Sequence, residues 1–93
     1  MVLVKKKIII ENKLGLHARP AALFVQLANK FASEVSVKKG KQMVNGKSIM
    51  GILMLAAGKG SKIILTVEGE DAEMAIRELE NFLSKDSDME EGK

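Results

Sequence analysis

The chain alternates between two periods of hydrophobic residues, and the alternation sets out a short series of elements. Val2–Ile10 has period two, with Val4, Ile8 and Ile10 on one face and Lys5 and Lys7 on the other, which predicts a strand. Lys6 interrupts the apolar face, as happens towards a sheet edge. Residues 11–16 read as a turn closing at Gly15. From Ala18 to about Ala32 the period becomes helical, with Ala21, Phe24, Ala28, Phe31 and Ala32 on one side. Pro20 belongs in the first turn of that helix, where a missing N–H costs no intrahelical bond. That geometry places His17 at or beside the N-cap.

Glu34–Lys38 again alternates, with Val35 and Val37 inward, and Lys39-Gly40-Lys41 turns the chain into Gln42–Asn45 as a hairpin. Asn45-Gly46 makes a second turn. Ser48, a favoured N-cap residue, then precedes the short apolar helix Ile49–Leu55, and Gly58 and Gly60 close the segment. Ser61–Glu68 is a strand with Ile63, Leu65 and Val67 on one face. Asp71 to about Leu83 is a helix whose stripe is Ala72, Ala75, Ile76, Leu79 and Phe82 or Leu83, with Glu73 and Arg77 as an i,i+4 pair outside. The order β-α-β-β-α-β-α predicts an α+β fold: a two-layer open-faced β-sandwich. Its mainly antiparallel sheet of four strands is covered on one face by three helices, with a lysine- and threonine-rich face towards water. Residues 1–84 form one domain, and the polar residues 85–93 read as a frayed tail.

Composition narrows the function. The chain has 93 residues, no cysteine and one histidine, which excludes disulfides and thiolate chemistry and argues against a metal site or cofactor. No apolar run approaches the roughly 18 residues a membrane span needs. The start has no secretory pattern either, so a cytoplasmic protein without membrane insertion is expected. The net charge of +3 hides an asymmetry. Residues 1–69 carry twelve Lys/Arg against three acids, whereas residues 70–93 carry three against nine. A basic body attracts anionic partners. Three Phe, with no Tyr or Trp, offer no base-stacking platform, so direct nucleic-acid binding is disfavoured. Gly46-Lys47-Ser48 imitates the end of a Walker A loop, but the first glycine of that motif would fall on Lys41, and a strand fills the interval.

The candidate chemistry lies in Gly15-Leu16-His17-Ala18-Arg19-Pro20-Ala21-Ala22, which contains the single histidine and single proline. A helix N-terminus presents free N–H groups and partial positive charge, which favours a bound phosphate and disfavours imidazolium. A phosphoryl group on His17 could accept hydrogen bonds from the amides of Ala18 and Arg19 and a charge-assisted contact from the Arg19 guanidinium. A plain histidine cap beside a solvent-facing arginine is the competing reading, and chemistry alone leaves the two open.

The same octapeptide resembles the active-site signature of HPr, the histidine-containing phosphocarrier family of the phosphoenolpyruvate-dependent sugar phosphotransferase system. Val44–Leu55, "VNGKSIMGILML", resembles that family's second signature, and the likeness extends over about residues 2–84. The resemblance implies that His17 accepts a phosphoryl group on Nδ1 from phospho-enzyme I and passes it to sugar-specific enzyme IIA, assisted by Arg19. Such a protein is a monomeric carrier and not an enzyme. It further implies regulatory phosphorylation of Ser48 by HPr kinase/phosphorylase and catabolite repression through catabolite control protein A. Either role is compatible with Ser48 as a cap, since a helix N-terminus tolerates a dianion. Such a dianion would act by altering docking next to His17. Ala22, Val25, Ile49, Met50 and Leu53 are the candidate docking residues, with methionine suited to several partners. Two positions depart from the family: Leu14 removes a polar partner for the histidine, and Gly46 replaces a larger residue and should loosen the entry to the second helix. The alternative within the fold is a regulatory paralogue controlling nitrogen or carbon metabolism without sugar transport.

Overall fold

The structure, a computed structural model, describes residues 2–10, 18–58 and 60–84. Four strands, β1 (Val2–Ile9), β2 (Glu34–Lys39), β3 (Gln42–Asn45) and β4 (Lys62–Gly69), alternate with helices α1 (Ala18–Ala28), α2 (Ile49–Leu55) and α3 (Ala72–Ser84) in the expected order. The sheet runs β1-β4-β2-β3 and every pairing is antiparallel. Its inward rows are Val4–Val67–Val35 and Lys6–Leu65–Val37–Val44, followed by Ile8–Ile63. Leu65, Val67 and Val37 are fully buried under the helices, which bring Phe24, Ile52, Leu55, Leu79 and Leu83 to the same core. Phe24 of α1 and Phe82 of α3 meet in a tilted pair with ring centroids 6.2 Å apart.

Lys6 is the inward residue of an edge strand. It reaches Glu80 of α3, with Nζ 3.0 Å from Oε1, and its side chain stays half exposed. Among the described residues this is the ion pair of α3; the expected Glu73–Arg77 pair does not form. Exposed side chains four residues apart gain too little to hold one geometry.

The first helix stops at Ala28, short of the expected Ala32, because tertiary partners claim the following backbone. Asn29 folds its amide onto the Val25 carbonyl at 2.9 Å, and the N–H groups of Lys30 and Phe31 make tighter i→i+3 bonds to Leu27 and Ala28. Lys47 Nζ donates to the Phe31 carbonyl at 2.6 Å. The Asp71 carboxylate then accepts from the N–H of Ala32 at 2.9 Å, from the N–H of Ser33 at 3.0 Å, and from the Ser33 hydroxyl. Ala32 is accordingly exposed. Asp71 is outside α3, whose first backbone bond it accepts from Ala75 at 2.9 Å. α2 ends at Leu55, as its sequence predicts, and its C-cap Ala56 takes the left-handed conformation (φ 52°) and bonds back to Leu53. Lys39 Nζ serves the exposed carbonyls of that end, 3.0 Å from Ala56 O. Neither α1 nor α2 has a basic residue in its last turn, so lysines from the sheet side supply the charge.

Beside Asp71 the turn from β4 passes so close to Ser33 that a Cβ on Gly69 (φ +155°) would lie 2.6 Å from Ser33 Cα. Gly69→Ala is expected to lower stability by about 1–3 kcal/mol, by steric overlap and backbone strain, read from urea unfolding. The hydrogen bond from the Ser33 hydroxyl, then those from Ala32 and Ser33 N–H, hold the Asp71 carboxyl below its ordinary value. Its contribution is therefore complete above the ordinary carboxylate range and disappears as pH falls through the lowered native value. The melting temperature of the wild type should drop more steeply over that acid interval than that of Asp71→Asn. Parallel curves for the two proteins would refute this role for Asp71.

Candidate functional site

His17 and Gly15, like Leu14, lie outside the described residues, and the description of the signature begins with the backbone of Ala18. Its landing point is well defined. Ile10 is buried, its N–H donates to Ser61 O at 2.9 Å, and its carbonyl accepts from Gly60 N at 2.9 Å. At the other side of residues 11–17, α1 starts at Ala18 with Pro20 buried in its first turn. Proline at the third helical position removes one donor, leaving the amides of Ala18 and Arg19 without intrahelical acceptors. Ala21, Phe24 and Ala28 anchor the helix in the core, so the opposite stripe, Arg19, Leu23, Gln26 and Lys30, faces solvent. Arg19 is thus exposed in the first turn, free to approach a group at the N-terminus.

Ser48 stands at the start of α2 in extended conformation (φ −111°, ψ 118°) and its Oγ accepts from Gly51 N at 3.1 Å. It is the N-cap that the sequence predicts. The entry to the helix is tight and not loosened by Gly46. That glycine is buried, donates its N–H to Val35 O at 2.7 Å, and a Cβ there would sit 2.5 Å from Val35 Cγ1. Asn45 Oδ1 accepts from Lys47 N at 2.8 Å to fix the turn. Gly51 brings α2 close to β3, where a Cβ would lie 3.2 Å from Val44 Cβ.

Ser48 and the start of α1 lie at opposite ends of that helix. Lys47 binds the Phe31 carbonyl, and Asn29 Nδ2 lies 3.4 Å from Lys47 O, which ties Ser48 to the C-terminal end of α1. Ala18 and Arg19 open the other end of an eleven-residue helix, about 16 Å away along its axis. A charge on Ser48 therefore lies about a helix length from the start of α1.

Apolar side chains occupy the surface of α2 and its neighbour. Met50 and Met54 are 64% and 65% exposed, and Ile49 and Leu53 each 37%. Ala22 and Val25 are only half-buried, with Val25 packed against the core. The sequence reading missed Leu23, 47% exposed, and Met54. Leu23 was detectable: it lies one turn beyond Arg19 and off the Ala21–Phe24–Ala28 stripe. Concavities among the described residues, one lined by Met43, Val44, Asn45 and Lys47 and another by Ala32, Glu34, Glu68 and Gly69, include neither Arg19 nor Ser48. No helix among these residues is long and apolar enough to cross a membrane.

Comparison with known proteins gives the same outline. Residues 4–85 match the family described as the PTS HPr component phosphorylation site. The HPr-like protein Crh of Halalkalibacterium halodurans is 49% identical over 84 residues, covering 90% of this chain and all of that one. The crystal structure of a phosphocarrier protein HPr from Bacillus anthracis superposes with a TM-score of 0.86 at 48% identity, over 89% of this chain and 99% of that chain. An HPr dimer from Thermoanaerobacter tengcongensis is 56% identical, with a TM-score of 0.65 over 77% and 83% of the two chains.

The cap has a measurable energy. Ser48→Ala should lower stability by about 0.5–2 kcal/mol and Ser48→Asp by much less, because aspartate caps a helix as well as serine does. Equal losses in urea titrations would show that the Oγ–Gly51 bond contributes nothing.

Proposed function

We propose a phosphoryl carrier function from one premise: the chain belongs to the HPr family of phosphotransferase-system phosphocarriers. On this reading His17 takes the phosphoryl group from phospho-enzyme I, with Nδ1 forming the new N–P bond as the donor's bond to phosphorus breaks. Transfer to a sugar-specific enzyme IIA reverses the roles. The observation that carries the reading is Arg19, exposed in the first turn of α1 two residues after the single histidine. Its guanidinium and the amides of Ala18 and Arg19 supply donors to the phosphoryl oxygens, and the helix end adds partial positive charge. A group held at the surface by such donors can be surrendered to the next acceptor, as a carrier requires.

Ala22, Val25, Ile49, Met50 and Leu53, joined by Leu23 and Met54, form the docking surface for these partners in this proposal. Met50 and Met54, unbranched and exposed, adapt to differently shaped surfaces. The chain works as a cytoplasmic monomer, so that this surface is open to partners in turn. Ser48 receives a regulatory phosphate from HPr kinase/phosphorylase, and the modified form binds catabolite control protein A. The dianion would lie at one end of the docking surface and Arg19 at the other, so regulation acts on docking and not on the histidine directly. The likeness to Crh supports a second reading, a regulator without sugar transport. The presence of His17 argues against a relative that keeps only a corepressor role.

Incubation with enzyme I and phosphoenolpyruvate, followed by intact mass spectrometry, should show one acid-labile phosphoryl group on the wild type and none on His17→Ala. Arg19→Ala should slow labelling by about 10- to 100-fold, the loss of one charge-assisted hydrogen bond in the transition state. Absence of label on the wild type would overturn the carrier reading. Label that no enzyme IIA accepts would favour the regulator.

A further inference from the structure

Among the described residues, nothing covers the side of the sheet opposite the helices, and the charges there are sorted. The register places Lys7, Ile64, Lys38 and Met43 in one row across all four strands, with Ile9 and Lys62 paired in the next position towards one end. Lys5, Thr66, Ser36 and Asn45 form the row on the other side. At the far end the row is Leu3, Glu68 and Glu34. One end is therefore basic, with Lys5, Lys7, Lys38 and Lys62 around a half-buried Ile64 and an Ile9 that is 47% exposed. The other end is acidic. Among the described residues none of these four lysines has a carboxylate within 4.0 Å.

The residues beyond α3 have the complementary pattern. Lys85-Asp86-Ser87-Asp88-Met89-Glu90-Glu91-Gly92-Lys93 carries four acids within six positions, with one apolar residue, Met89, among them. All but Lys85 lie outside the matched family region. Their point of departure is also suitable. α3 returns antiparallel to β4, and the Lys6–Glu80 pair sets Glu80 beside the middle of β1, so Ser84 lies one turn further towards the end where Ile9 and Lys62 pair. The five residues from Ser84 to Met89 reach up to about 17 Å when extended, enough to pass one helix diameter of about 10 Å and turn onto the open face.

We propose that residues 85–93 dock on the basic end of the open sheet face, with Met89 against Ile64 and the four acids among Lys5, Lys7, Lys38 and Lys62. This segment would shield these four lysines while leaving α1 and α2 accessible. The proposal does not depend on the carrier function.

The chain has no cysteine, so a single nitroxide can be placed on the full-length protein through Ser87→Cys. At low salt the amide signals of Lys7, Lys38 and Ile64 should lose about half of their intensity or more relative to the reduced label. They should recover at about 0.5 M salt, where the screening length falls below 5 Å. Lys7→Glu combined with Lys38→Glu should abolish the loss while the remaining amides keep their positions. Broadening confined to Ile9, Ile10 and Lys62 near the exit, and indifferent to salt and charge reversal, would overturn the proposal. Broadening carried by a second, unlabelled-spin copy in a mixed sample would overturn it too, since the segment would then bridge molecules.

Discussion

The strand made last sits in the middle. β4 pairs with β1 on one side and β2 on the other, and its Ile63, Leu65 and Val67 form the floor of the buried core to which all three helices contribute side chains. Neither β1 nor the β2–β3 hairpin has a partner in the sheet until residues 62–69 arrive, so the sheet is a single cooperative object whose contacts span the length of the domain. Everything at the surface is placed relative to that floor. Ile10 is held by Gly60 and Ser61 at the start of β4, and the Asp71–Ser33 contacts form at its end.

Those two ends determine what α1 can present. The strand end at Ile10 and the buried Pro20 bound the segment that contains His17, while Asp71 and Lys47 take hold of the chain just after Ala28. A helix pinned at both ends and buried through Ala21, Phe24 and Ala28 has no freedom to rotate its solvent stripe. Arg19 is therefore exposed as a consequence of the core and not by chance. The same economy appears at the helix C-termini, where Lys47 and Lys39 complete ends that their own sequences leave uncapped. Lys47 thus joins two roles, since it also sets the turn that delivers Ser48 to its cap.

A carrier needs a group at the surface, donors around it, and a face that several partners can use. The proposed arrangement separates these along α1, with Arg19 at one end, Ser48 at the other and exposed apolar residues of α1 and α2 near both. The open sheet face lies on the other side of the molecule, where docking of residues 85–93 would leave this arrangement undisturbed.

Much of this was legible in the chain alone. The period-two runs at Val2–Ile10, Glu34–Lys38 and Ser61–Glu68, the helical stripe from Ala72 to Leu83, the turn glycine at Gly40 and the serine cap all depend on neighbours within a few residues. Short-range sterics and amphipathicity therefore determine them. His17 and Arg19 stood out by type and spacing for the same reason. The end of α1 at Ala28, the αL residue at Ala56, the Lys6–Glu80 pair and the distance of Ser48 from Arg19 were decided only by the tertiary structure. Each depends on groups far apart in the chain: Asp71 against Ala32, Lys39 against Ala56, Lys47 against Phe31. Local propensity favoured continuing the first helix to Ala32, but the hydrogen bonds offered by Lys47 and Asp71 were available only once β4 had brought the ends of the sheet together.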